Sequence, residues 1–201
     1  RLSELQQTLA GAQQLLGFEA PAFGADATVG GMVACGFSGP ARPYRGSVRD
    51  AVLGVEMING RGQQLRFGGE VIKNVAGYDA SRLMAGALGS LGVMLEVSFK
   101  VLPMPEIECT IGFETSERDA LRFMNEAAVR PLPITGSYFC DGTLKLRLSG
   151  SKEGVSSATT ELGGLVDSSA SGFWTALVEH QHPYFLPPQP LWRLSVPAAA
   201  E

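Results

Sequence analysis

Ala27-Thr28-Val29-Gly30-Gly31-Met32-Val33-Ala34 is the stretch on which the reading of the fold turns. Two adjacent glycines behind a threonine let backbone N–H groups approach a bulky anionic ligand with no Cβ in the way. Thr28 adds a hydroxyl that can donate or accept. Taken alone, the segment reads more simply as a glycine turn entering a strand or a short helix, so its neighbours must decide.

Moving outward, 15 of the 25 glycines lie between Gly24 and Gly92, which marks a region where backbone rather than side chains does the unusual work. Gly36-Phe37-Ser38-Gly39-Pro40-Ala41-Arg42-Pro43-Tyr44-Arg45-Gly46 is a compact loop of small residues and hydroxyls. Its Arg42 and Arg45 can offset pyrophosphate charge or hold a carboxylate, or they are solvated surface residues, the commoner fate. Further on come Lys73-Asn74-Val75-Ala76-Gly77-Tyr78-Asp79 and Gly86-Ala87-Leu88-Gly89-Ser90-Leu91-Gly92-Val93, where glycines at three-residue spacing lead into an apolar strand. The backbone edge at Gly92-Val93 can pair with a purine through main-chain groups. No G-x-G-x-x-G lies between an early strand and a helix, and no G-x-x-x-x-G-K-[ST] occurs, so neither the Rossmann nor the P-loop fingerprint is present.

Periodicity places the elements. Residues 2–16 read as one helix with Leu5, Leu9, Ala12 and Leu16 on a face, Ser3 and Gln6 at capping-box spacing and Gly17 as its stop. Ala51–Ile58 and Gln63–Phe67 read as a hairpin across Asn59-Gly60, Ser81–Leu88 as a short helix, and Gly92–Leu102 as a strand that Pro103 and Pro105 end. Pro103-Met104-Pro105 divides the chain into domains 1–103 and 104–201. In the second, strand 107–113, helix 116–128, a hairpin 134–140/143–148 across Asp141-Gly142, helix 151–162 and a short strand at Leu165-Val166 follow the β-α-β-β-α-β order of a ferredoxin-like fold. Phe173–Glu179 reads as a further helix, Leu191–Val196 as the start of a strand, and Trp174 and Trp192 as core.

Composition narrows the function classes. A net charge of −4 argues against a nucleic-acid binder. Cys35, Cys109 and Cys140 are an odd, widely spaced set, neither a disulfide framework nor a zinc site, and point to a reducing cytoplasmic compartment. No apolar run reaches the roughly 18 residues of a membrane span. His180 and His182 are the only histidines; with no nearby Asp, Glu or Cys to complete a site, a solvated or capping role outweighs metal binding. Cys35 reads as a small buried residue. No G-x-S-x-G elbow supports a serine hydrolase.

The three glycine segments in this order resemble the FAD-binding domain of the vanillyl-alcohol oxidase/p-cresol methylhydroxylase (PCMH) superfamily, from about Thr28 to Pro103. Within it, Gly31–Gly36, Arg42–Asp50, Lys73–Asp79, Pro131–Ile134 and Leu191–Leu194 are similar to the smaller flavin-domain subunits of glycolate oxidases. The resemblance implies an α+β chain: the second, larger half of a PCMH-type FAD-binding domain, then a partial ferredoxin-like cap domain. It implies that a pyrophosphate-loop subdomain precedes Leu2 and that more of the cap follows Glu201. FAD is the implied cofactor. Thr28, Val29, Gly30 and Gly31 would lie along its pyrophosphate or ribityl chain. Gly36, Ser38, Gly39 and Gly46 would line the cofactor loop, and Gly92 and Val93 would meet the adenine or its ribose. Lys73, Asn74 and Tyr78 would face the flavin neighbourhood. The implied activity is oxidation of glycolate to the 2-oxo acid, with D-lactate as a second candidate substrate. Electrons would pass through a larger flavin-domain subunit and an iron–sulfur subunit, with membrane association only through that complex. No residue is identified as catalytic base. A structural flavin-domain subunit of the same complex, and a standalone flavin reductase of the same fold, are the alternatives.

Overall fold

The computed structural model describes residues 1–70, 78–170, 172–186, 190–194 and 196. The chain forms two compact units, Arg1–Met104 and Pro105 onward.

In the first unit, helix α1 runs only over Leu2–Gly11, and residues 14–16, expected to continue it, form strand β1 (Gln14–Leu16). The break is local: Gln13 adopts φ 56, a left-handed conformation that a helix cannot carry onward. β1 then pairs antiparallel with β5 (Val101–Pro103), with Leu15 opposite Leu102. The cap also differs from the expected Ser3/Gln6 pair, since Glu4 accepts from the Arg1 nitrogen at 2.8 Å.

Four short elements follow: α2 (Val29–Cys35), α3 (Arg42–Arg45), α4 (Val48–Ala51) and β2 (Val52–Ile58). β2 is the centre of a three-stranded antiparallel sheet, flanked by β3 (Gln64–Gly68) and β4 (Val93–Phe99). Its Val52, Val55 and Met57 are buried with Leu2, Phe18, Met32, Val33, Val48 and Met84 in one core. The β2–β3 hairpin turns from Asn59, as its sequence predicts. Asn59 accepts from the N–H groups of Arg61 and Gln63 through its side-chain oxygen, and Gly62 carries the positive φ of 73. The segment expected as a helix to Leu88 is one 3-10 turn, Ser81–Met84. The strand expected to run unbroken to Leu102 is interrupted at Lys100, whose N–H donates to Ala51 O, and divides into β4 and β5 in different sheets.

The second unit contains β6 (Ile107–Glu114), α5 (Glu117–Ala128), β7 (Ile134–Cys140), β8 (Thr143–Gly150), α6 (Lys152–Leu162), β9 (Leu165–Val166) and α7 (Phe173–Val178). The strand order β7-β8-β6-β9, antiparallel throughout, is the ferredoxin-like arrangement. Asp141 and Gly142, at φ 48 and 81, make the hairpin turn as their sequence requires. Ser116 and Ser151 cap α5 and α6 through their side-chain oxygens. Leu144, Leu146 and Leu148 alternate along β8 and are almost completely buried, and α6 lies against β8 and β6. The other face of β8 carries Lys145 and Arg147. There the Lys145 ammonium lies over the Phe173 ring and the Arg147 guanidinium over Trp174, so α7 covers this face. Leu191–Leu194 form no strand, and Trp192 is 82% exposed rather than core.

Lys145 Nζ and Asp167 Oδ2 are 2.5 Å apart. The Lys145 ammonium, followed by the Ser169 hydroxyl, holds the Asp167 carboxyl at about 2, against 3.8 when unperturbed. A depressed carboxylate pKa contributes stability that is present above the unfolded value and lost as pH falls from about 3.8 toward 2. The contribution at neutral pH is about 2 kcal/mol at most. Asp167→Asn is therefore expected to unfold at lower urea than the parent at pH 7, with the two midpoints converging near pH 2. A gap that stays constant with pH would show that the ion pair is not the source.

Candidate functional site

Thr28 is the N-cap of α2: its backbone is extended, and its Oγ1 accepts from Gly31 N–H at 3.0 Å. The glycine pair therefore opens a short helix. A Cβ at Gly31 would sit 3.0 Å from that same hydroxyl oxygen, so the protein itself has a use for glycine there. Gly30 differs. No heavy atom lies within 4 Å of where its Cβ would be, and its φ is not positive. Nothing among the described residues asks for glycine at residue 30, and Val29 and Gly30, as first-turn residues, have no carbonyl one turn earlier for their N–H groups. Val29 packs its side chain against the core.

α2 ends at Gly36, which takes the left-handed conformation at φ 63, and a Cβ there would lie 2.9 Å from Gly86 N. The 86–88 segment supplies the partners that the last turn of α2 lacks. Gly86 N–H donates to Val33 O and Leu88 N–H to Ala34 O, both at 2.9 Å. Two glycine stretches far apart in sequence are thus joined by backbone hydrogen bonds.

The loop after Gly36 is fixed by Glu19, a residue the sequence pattern gives no reason to select. Glu19 O accepts from Gly39 N–H and its carboxylate from Ala41 N–H. Within this clamped loop the Ser38 Oγ is fully buried and has no hydrogen-bond partner among the described residues. A buried hydroxyl left unpaired costs about 1–3 kcal/mol. Gly46, at φ 87, has a structural reason: its Cβ would press on Asp50, which accepts from the N–H and hydroxyl of Ser47. Those donors, the N–H first, hold the Asp50 carboxyl below its usual value. Arg42 is exposed.

Gly92 has a structural reason too. With φ 148, its Cβ would drive into the Ile58 carbonyl oxygen and lie 2.5 Å from Met57 Cε. Val93, the first residue of β4, is 65% exposed opposite Ile58. Lys73 and Asn74 lie outside the described residues, and Tyr78 is fully exposed.

Cys35, expected to be buried, is exposed at the last residue of α2. It lines an open cleft of about 170 Å³ between the 20–23 segment and α2, together with Thr28 and Gly31. His182 Nδ1 accepts from Tyr184 N–H, the capping role. No helix among the described residues is long and apolar enough to cross a membrane.

Comparison with known proteins bears on these residues. The family model for an FAD binding domain matches residues 1–68. Glycolate oxidase subunit GlcE of Escherichia coli (strain K12) is 48% identical over 199 residues, 99% of this chain and 56% of that protein. Glycolate oxidase subunit GlcD of Bacillus subtilis (strain 168) is 33% identical over 119 residues, 58% of this chain and 25% of that protein. An alkyldihydroxyacetonephosphate synthase structure superposes with a TM-score of 0.63 at 18% identity, over 90% of this chain and 40% of its own, which is a likeness of fold. The chain spans about half the length of GlcE, and a smaller share of GlcD.

Proposed function

We propose that the chain is a PCMH-type FAD-binding protein with FAD as its cofactor, and that it is the flavin-holding component of a glycolate oxidase complex. The observation that carries this reading is the likeness to GlcE over 199 residues, a span that takes in both units. The residues present fit the cofactor: among the described residues, Gly30 is bare without an internal reason, and the buried Ser38 hydroxyl has no partner.

Thr28, Val29, Gly30 and Gly31 would hold the pyrophosphate or ribityl chain, with Gly30 giving the close approach. Ser38, between Gly36 and Gly39, would bond a polar atom of the cofactor, while Gly46 keeps the loop's far end in shape. Gly92 and Val93 would offer main-chain groups to the adenine or its ribose. When bound, FAD supplies a two-electron acceptor for oxidation of the α-carbon of a 2-hydroxy acid such as glycolate, or D-lactate, to the 2-oxo acid. The chain's part is to bind and orient. A larger flavin-domain subunit and an iron–sulfur subunit would carry electrons onward, and membrane association, if any, would be peripheral through them.

Gly30→Leu separates a cofactor role from a structural one. The open space at residue 30 accepts a side chain, and leucine favours a helix over glycine by roughly 0.5–1 kcal/mol. The variant is expected to fold with unchanged or slightly raised stability, while its bound flavin, read from visible absorbance after purification with the partner subunits, falls at least tenfold. A Gly30→Leu complex with full flavin content would place the cofactor elsewhere. A parent complex without flavin would remove the reading altogether.

A further inference from the structure

Phe23 and Phe37 stand at the mouth of the cleft beside α2, 56% and 45% exposed. Their rings meet edge to face, with centroids 6.0 Å apart at 82°. Much of each ring is therefore left facing outward, an uncommon state for two large apolar side chains side by side. Phe23 also takes φ 53, a left-handed backbone rarely accepted by a bulky residue, and Gly24 follows at φ 137. Small residues, Ala20, Ala22, Ala27 and Gly31, line the cleft together with the two rings and leave room beside them. Small residues beside an aromatic pair suit a flat, apolar-faced ligand. All of these residues fall inside the 1–68 stretch matched as an FAD binding domain.

We propose that Phe23 and Phe37 form the aromatic wall against which one flat heteroaromatic ring system of FAD packs. The inference rests on the FAD-binding reading above and adds to it two binding residues and the location of a ring. The cleft, about 170 Å³, is smaller than the roughly 300–1,000 Å³ of a site that encloses a whole ligand, so it takes one ring of the dinucleotide rather than the whole of it. Isoalloxazine and adenine share the relevant chemistry, a flat π-face, and differ in which fragment of FAD competes for the cleft.

The test uses the full-length protein with its partner subunits, stripped of flavin and titrated with FAD. Phe23→Leu and Phe37→Leu should each weaken FAD binding about tenfold, the loss expected for one ring-on-ring contact. Phe23→Tyr and Phe37→Tyr keep the ring and should bind as the parent does, which separates loss of packing from loss of fold. Cys35, on the cleft wall, provides a second readout: saturating FAD should slow its alkylation by N-ethylmaleimide, followed by mass spectrometry, while Cys109 and Cys140 in the other unit serve as internal references. FMN protecting Cys35 would assign the cleft to the isoalloxazine, and ADP protecting it would assign the adenine. If the parent takes up FAD while both leucine variants match it and Cys35 reacts at one rate with or without FAD, the aromatic wall is refuted and the FAD reading stands. If the parent takes up no FAD, both fall together.

Discussion

Gly92→Val is expected to abolish or nearly abolish the folded form of the first unit, whereas the same change at Gly30 is tolerated. At residue 92 the backbone lies at φ 148, where side chains other than hydrogen are rarely found, and a Cβ there would meet the Ile58 carbonyl oxygen. Neither the strain nor the contact has an easy escape. Ile58 is held by β2 pairing with β3 on one side and with β4 on the other, and Met57, 2.5 Å from the added carbon, belongs to the buried core. Relief would require pulling β4 off β2, and the sheet is built on that pairing. Overpacking of this kind with backbone strain costs more than about 4 kcal/mol, a large share of the roughly 5–15 kcal/mol that holds a domain folded. The check is urea denaturation followed by far-ultraviolet circular dichroism, with Gly92→Ala as a partner that brings the same Cβ and should lose most of the same stability. A Gly92→Val protein as stable as the parent would mean that β4 does not begin where the structure has it. The contrast with Gly30 sorts the glycines: those at 36, 46 and 92 serve the chain's own packing, and the one at 30 does not.

That sorting is beyond the sequence, and the reason is physical. A glycine is written the same way whether it allows a positive φ, admits a neighbouring carbonyl or leaves room for a ligand, and only the neighbours in space tell these apart. Elements set by local rules are legible: Ser116 before α5, Ser151 before α6 and the Asp141-Gly142 hairpin rest on capping and turn chemistry contained in a few residues. The β-α-β-β-α-β order is legible for the same reason. The differences fall where distant partners decide. Leu16 fits the helix periodicity, yet it pairs with Val101, and the Gln13 backbone turns to allow it. The break at Lys100 reflects its bond to Ala51, far away in sequence. Glu19, which holds the Gly39–Ala41 loop, lies in an ordinary loop segment with no motif around it. Cys35 suits an interior position as small residues usually do, but the last turn of α2 presents it to the cleft. The glycine segments carry the resemblance to FAD-binding domains, while the aromatic and carboxylate groups around them become visible only in three dimensions.

Arg147→Ala is expected to destabilise the second unit by about 3 kcal/mol, the largest effect of any substitution on its polar sheet face. Arg147 is 4% exposed, on the central strand β8. Its Nη2 donates to the Thr135 carbonyl at 2.8 Å and its Nε to the Thr135 hydroxyl at 3.1 Å, which ties β8 to β7. The guanidinium lies 4.9 Å from the Trp174 ring centre, and the indole N–H donates to the Thr110 hydroxyl at 2.9 Å, which ties α7 to β6. Glu108, half exposed, stands 3.8 Å from Nε and offsets part of the charge. Removing the side chain takes the Arg147 donors from the Thr135 carbonyl and hydroxyl, leaves the hydroxyl its bond to the Arg147 carbonyl and opens a void under Trp174, and these costs add to the lost cation–π contact. Arg147→Met tests which loss dominates. It fills most of the volume and removes the buried charge. If the cost of desolvating the cation outweighs its hydrogen bonds, the methionine variant should recover more than half of the stability that alanine loses. If the donors to Thr135 matter most, methionine should fall as far as alanine. Tryptophan emission gives a local reading, because Trp174 is buried and Trp192 is exposed: loosening of α7 should shift the blue component toward red before global unfolding. An Arg147→Ala protein with parent stability and unchanged emission would show that α7 is held on the sheet by the Trp174–Thr110 bond and its apolar contacts alone.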